Sequence, residues 1–223
     1  MPDYRHIAPW YDFLLRPFVK TIRRNVVKTV LALKPGLVLD VACGTGDQLR
    51  VLSENRINAV GIDLSEAMLR QCRRSNPAAD CLLQDGTAMA FQPATFDLVM
   101  ISFALHECGW PAAVDMLDEV YRVLKPGGQL LIVDYADLKQ VRGHVRLAIS
   151  AIEFLAGRDH FSNFRNYHRK GGLQALIDPH RFSLLASRKR AAGSIEIQEF
   201  KPLKDKVLNW KLVSSTTGLV GGL

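Results

Sequence analysis

The stretch Val38 to Gly46, VLDVACGTG, holds the residues whose types and order could do chemistry. An aliphatic run carries an acid at its end and then breaks into a Gly-x-Gly turn. That pattern predicts a buried parallel strand, a carboxylate (Asp40) at its C-terminal tip, and a loop tight enough for a ligand to lie against bare backbone. In open α/β sheets, nucleotide-type ligands bind at that end of the strands. A second acid, Asp63, ends the next apolar run in VGIDLS, Val60 to Ser65.

The two acids narrow the ligand. In a dinucleotide-binding turn, the backbone N–H groups after the first strand receive a pyrophosphate. A carboxylate at Asp40 would repel it, and Asp47, Gln48 and Leu49 follow Gly46 where a third glycine would stand. The same carboxylate suits an ammonium group, and Asp63 can accept both hydroxyls of a ribose. A ligand with a ribose and an amino group but no pyrophosphate fits, and S-adenosylmethionine is one.

Four motifs then occur in order: DVACGTG, GIDLS, FDLVM and LKPGGQLLIVD. Together they resemble the class I S-adenosylmethionine-dependent methyltransferases, above all the ubiquinone and menaquinone C-methyltransferases and their small-molecule relatives (the methyltransferase type 11 group). The resemblance covers roughly residues 4 to 200. It implies a Rossmann-like fold, methyl transfer to a small-molecule or lipid-like acceptor, and S-adenosyl-L-homocysteine as product.

On that resemblance, Asp40, Ala42, Cys43, Gly44 and Gly46 hold the methionine end, with Ala42 where many relatives have glycine. Asp63 holds the ribose, Leu64 and Met68 flank the adenine, and Asp85 and Gly86 meet its edge. Tyr11, ahead of the first strand, folds over the cofactor, and Ser102 lies beside it. Cys43 serves as a small residue, or as an oxidation-sensitive thiol if loop amides favour its thiolate.

After the fourth strand the chain reads ISFALHE, Ile101 to Glu107. The Asn/Asp-Pro-Pro-aromatic turn of enzymes that methylate nucleic-acid amines is absent, which argues against that chemistry. His106 could act as a general base near neutral pH, with Glu107 as its alternative or orienting partner; a polar helix-start residue is the competing reading. Tyr135, His160, Arg165, Tyr167 and His168 complete the candidates for contact with substrate, the last four read as solvated loop or lid. No catalytic residue is assigned.

The elements that must position these residues follow from periodicity. Residues 12–34 predict a basic amphipathic helix carrying Phe18, Ile22, Val26 and Leu33. Strands are expected at Leu37–Val41, Ala59–Ile62, Cys81–Gln84, Phe96–Ser102 and Gln129–Asp134, with helices between them. Ser65 caps one helix, and Lys125-Pro126-Gly127-Gly128 stops another. Leu138–Ala156 and Leu173–Ile177 read as helices around a polar, aromatic and basic stretch, 157–172. Phe182–Ser187 and Ser194–Phe200 read as an antiparallel hairpin. The expected fold is a doubly wound, mainly parallel seven-stranded sheet with that hairpin at its C-terminal side and a helical lid insertion over about 138–178. Residues 1–200 would form one domain and 201–223 a tail of unassigned role.

Composition adds limits. The 223 residues are 48% hydrophobic and carry 29 basic against 22 acidic side chains, a net charge of +7. The excess is local: residues 136–190 hold 11 basic and 4 acidic groups. A basic cover suits an anionic substrate, an anionic membrane surface or RNA. The motif set leaves nucleic acid as the lesser expectation, with a non-catalytic S-adenosylmethionine-binding protein and an RNA methyltransferase as the alternatives. No apolar run approaches ~18 residues, the N-terminus lacks a signal-peptide pattern, and the four cysteines show no zinc-ligand spacing. A cytoplasmic protein with reduced thiols and no metal is expected.

Overall fold

The computed structural model describes residues 8–204, with side chains from residue 20 onward. Seven strands form one sheet: β1 (Val38–Val41), β2 (Ala59–Asp63), β3 (Asp80–Leu83), β4 (Phe96–Ser102), β5 (Leu124–Tyr135), β6 (Phe182–Arg190) and β7 (Ile195–Pro202). Their spatial order is β3-β2-β1-β4-β5-β7-β6. The first five run parallel, while β7 pairs antiparallel with both β5 and β6. The expected fold class is therefore observed.

The apolar runs explain the layering. All four residues of β1 are buried, as are Leu98 to Ile101 of β4, because both strands are covered on both faces. On one face, helix α1 (Ala8–Leu33) lays Ile22, Val26, Val27 and Val30 against Val38, Leu98, Met100, Leu131 and Val133. Helix α2 (Asp47–Glu54) adds Leu52 to that layer. Helix α3 (Glu66–Ser75) is started by Ser65, whose side chain accepts from the Met68 N–H, and buries Leu69 and Cys72. On the other face, α4 (Trp110–Val123) buries Met116, Leu117, Val120 and Val123 against Leu39, Val99, Leu130 and Ile132.

The C-terminal cover differs from its sequence reading in one respect. Leu138–Ala156 is a single-turn 3₁₀ segment followed by α5 (Gly143–Leu155), as the pattern implied. Residues 157–172, read as lid or solvated loop with no helix assigned, contain α6 (Arg158–Arg169), with His160, Phe164 and Tyr167 buried. That spacing of four and then three is the period of one helix face; the intervening charges and Gly157 obscured it. Short helix α7 (Leu173–Leu176) adds Leu173 and Leu176 to the core.

The two halves of the sheet wind in opposite directions from β1, so the crevice opens between the C-terminal ends of β1 and β4. The loops 42–46 and 103–109 meet there.

Candidate active site

The β1–α2 loop is built by three left-handed residues in alternation: Ala42 (φ 56), Gly44 (φ 56) and Gly46 (φ 73). Cys43 donates its N–H to the Ile62 carbonyl (2.9 Å), and Gly44 donates to Oδ2 of Asp63 (2.8 Å). The other oxygen of Asp63 accepts from the Ser65 N–H (2.8 Å). One carboxylate thus fixes both the glycine loop and the start of α3. At Gly46 a Cβ would lie 2.2 Å from Sγ of Cys72, so the turn needs glycine for space as well as for φ.

Asp40 lies under this loop, 2% exposed. Burial lifts its carboxyl to about 7, with the Arg23 charge opposing and Asp63 adding to the rise. Burial also pushes the Cys43 thiol far above its ordinary range, reinforced by Asp40 and Asp63. Loop amides therefore do not favour the thiolate, and the oxidation-sensitive reading of Cys43 is withdrawn. Four cysteines are free thiols, as expected.

Along the crevice, Leu64 is half exposed and Met68 half buried, on the run from β2 into α3. Asp85 is exposed, and its Oδ1 accepts from the N–H and hydroxyl of Thr87, both at 2.8 Å. Gly86 packs so closely that a Cβ would meet Met116 at 3.1 Å and Val41 at 3.2 Å. The loop after it is clamped by Arg122, which donates to the carbonyls of Met89 (2.8 Å) and Phe91 (2.7 Å), while Glu119 accepts from the Met89 N–H (2.7 Å). Ser102 ends β4 half buried, beside Phe103, a non-glycine residue at φ 56. Left-handed backbone at a bulky residue is strained, and such strain gathers at working sites. The side chain of Tyr11 lies outside the described residues.

The segment 104–107 turns inward at the end of β4. Nδ1 of His106 lies 2.5 Å from Oδ1 of Asp134 at the end of β5, and each side chain is 1% exposed. Burial works against charge on His106, but Asp134, Glu107 and Glu153 carry its pKa up to about 9. The contact with Asp134 holds the ring by Nδ1 and leaves Nε2 buried without a hydrogen-bond partner among the described residues. His168, by contrast, is kept neutral by burial, which takes it down to about 4.

Around this pair, the Tyr135 hydroxyl donates to Glu153 (2.7 Å), and His160 bonds the other oxygen of Glu153. Burial pushes the Glu153 carboxyl up, but the His160 bond, the His106 charge and the Tyr135 hydroxyl leave it below its usual range. Asn163 ties α6 to the turn by donating to the Glu107 carbonyl (2.8 Å). Of the cover candidates, His160 and Tyr167 are buried in this cluster, not solvated. Arg165 is exposed and lies over the Phe161 ring at 5.8 Å, away from the cluster. Asp134, Glu153 and Asn163 were missed in sequence; the helical period of α6 could have pointed to Asn163, but Asp134 and Glu153 lie on β5 and α5 and join it only through packing. A cavity of about 300 Å³ opens next to the cluster, lined by Tyr135, Gln140, His168, Gly172, Lys189 and Glu196.

Comparison with known proteins bears on the domain and the fold. Residues 38–128 match the family model described as a methyltransferase domain. The demethylmenaquinone methyltransferase of Renibacterium salmoninarum is 36% identical over 134 residues, covering 58% of this chain and 56% of the relative. A ubiquinone/menaquinone biosynthesis C-methyltransferase of Cereibacter sphaeroides is 34% identical over 147 residues, covering 60% and 58%. The chain thus spans under two thirds of the length of these relatives. The solved plantazolicin methyltransferase in complex with SAH superposes with a TM-score of 0.60 over 90% of each chain at 17% identity, which establishes the shared fold. Residues 38–128 thus match a methyltransferase domain, and the sheet around them shares its fold with a solved methyltransferase.

Proposed function

We propose that this protein transfers the methyl group of S-adenosylmethionine to a small or lipid-like acceptor, of the type of a quinone precursor. The observation that carries this reading is the Asp63 carboxylate at the tip of β2, holding the glycine loop through Gly44 and leaving further lone pairs for ribose hydroxyls. The fit to that cofactor rests on two features. The loop excludes side-chain bulk at Gly46, and Asp40 places a buried carboxylate where an ammonium or sulfonium group is welcome and a pyrophosphate is not.

When bound, the sulfonium supplies an activated methyl carbon, which passes to the acceptor while sulfur keeps the electron pair. The chain's task is alignment and exclusion of water. Asp63 fixes the loop, Leu64 and Met68 supply apolar contact for a planar base, and the end of β4 brings Ser102 beside the reacting centre. The cluster of His106, Glu107, Tyr135 and Glu153 faces the acceptor side, and residues 138–178 form its cover. The acceptor's proton leaves through that cluster.

The cover also favours a lipid-like acceptor. On α5, Leu147 (72%), Phe154 (61%) and Leu155 (64%) are exposed, as are Arg142, Arg146 and Arg158 in and around the same helix. Exposed apolar side chains among basic ones suit the surface of an anionic bilayer. Among the described residues no helix is long and apolar enough to cross a membrane, so contact would be peripheral.

Transfer of labelled methyl into fractionated cell extract tests this. Label in the organic-solvent phase, absent with Asp63→Ala, is the expected result. Label confined to the aqueous phase would overturn the lipid-like acceptor, and nuclease sensitivity would then identify RNA. Bound S-adenosylmethionine with no labelled product in any fraction would overturn catalysis.

A further inference from the structure

We propose that His106, Glu107 and His160 bind a divalent transition-metal ion at the acceptor end of the crevice, Zn²⁺ being the ion this donor set favours. The three side chains come from the β4–α4 turn and from α6, and a ligand atom from each lies within 4.8 Å of the others. His106 Nε2 stands 3.9 Å from a Glu107 oxygen and 3.8 Å from Glu153. Ligands at about 2.1 Å from a tetrahedral zinc sit roughly 3.4 Å apart, so side-chain rotations of about an ångström close the set.

Three features distinguish this cluster from a chance grouping. First, His106 is 1% exposed, and its Nε2 has no hydrogen-bond partner among the described residues. A buried polar atom without a partner is costly, and it is directed at the other two ligands. Second, its opposite nitrogen is held by Asp134, and Glu153 bonds Nε2 of His160. Carboxylate–histidine–metal chains of this kind fix the ring and raise ligand basicity in metal sites. Third, the carboxylates of Glu107, Asp134 and Glu153 stand around the two imidazoles, an excess of negative charge that a dication would offset.

Two histidines and one glutamate leave a fourth position open, the pattern of a zinc site that acts on a ligand rather than one that only supports the fold. Such an ion would polarise an acceptor oxygen and make its proton easier to lose. That role rests on the methyl-transfer reading; metal binding itself does not. Cysteine spacing gave no hint of it because the donors are His and Glu from separate segments, joined only by the packing of α6 on the turn.

The test uses the full chain, stripped with chelator and titrated with Zn²⁺ against a chromophoric competitor, with Co²⁺ as a spectroscopic probe. One equivalent should bind, raise the melting temperature and give the visible bands of Co²⁺ on nitrogen and oxygen ligands. His160→Gln and Asp134→Asn should each weaken Zn²⁺ about 10- to 100-fold, with circular dichroism confirming the fold. Wild-type protein that takes up less than about a tenth of an equivalent at micromolar Zn²⁺, with an unshifted melt, would overturn the proposal. So would a folded His160→Gln with wild-type affinity. Titrating S-adenosylmethionine into the same stripped protein separates the two readings: cofactor binding without metal binding leaves the methyltransferase assignment standing and the metal site refuted.

Discussion

The Gly44 N–H donates to Oδ2 of Asp63 at 2.8 Å, joining the loop after β1 to the tip of β2. The residue expected to hold the ribose therefore also shapes the loop expected to hold the methionine end. Asp63→Ala removes an acceptor for two hydroxyls and releases Gly44 and Ser65. At ~1.5 kcal/mol for each hydrogen bond to a charged group, the cofactor's affinity should fall about 100-fold. Asp63→Asn, which keeps one oxygen, should lose about tenfold. Calorimetry on both variants checks the order; equal affinities in wild type and Asp63→Ala would remove Asp63 from the site.

Asp40 gives a pH dependence whose sign can be worked out. Its carboxyl titrates near 7 in the folded protein against an ordinary value of 3.8, because burial disfavours the charge. Between these values the folded state binds more protons than the unfolded one, so this group's contribution makes stability fall as pH rises from about 4 to about 7. A cationic ligand favours the carboxylate, so its affinity should rise from pH 6 to pH 8, with proton release on binding. Asp40→Asn should melt higher than wild type at pH 8 without ligand and show a flatter binding profile. A wild-type affinity that falls over this range would contradict the assignment.

The two left-handed positions that differ in side chain predict opposite outcomes. Gly46→Ala adds a Cβ 2.2 Å from Sγ of Cys72 at φ 73, and should cost at least ~2 kcal/mol in urea unfolding. Ala42→Gly relieves a methyl at φ 56 and should be neutral or stabilising by up to ~1 kcal/mol. The reverse order would show that the loop is not held in this conformation.

Arg122 and Glu119 clamp the loop between Gly86 and Phe96 through three backbone hydrogen bonds to Met89 and Phe91. Both side chains are partly exposed, so the loss on Arg122→Ala should be modest, ~1–2 kcal/mol. Hydrogen exchange should quicken across residues 86–95 while the strands keep their protection. Unchanged exchange there would show that the clamp does not order the loop.

Much of the cofactor side was legible in the sequence because its signals are local. An acid at a strand tip, a glycine turn and a Ser cap each act within a few residues, and parallel strands buried on both faces read as unbroken apolar runs. The acceptor side was legible only in part. His106 could be singled out, but its partner Asp134 is 28 residues away and Glu153 lies on another helix, so their meeting depends on tertiary packing. Helix α6 was missed because His160, Phe164 and Tyr167 mix polar with aromatic character, which hides a buried face from a hydrophobicity pattern.

The most direct test of the central claim is a calorimetric titration of purified protein with S-adenosylmethionine, with NAD as the comparison. One-to-one binding of S-adenosylmethionine in the micromolar range, with no heat from NAD, is the predicted result. Binding of NAD, or no binding of S-adenosylmethionine at millimolar concentration, would contradict it.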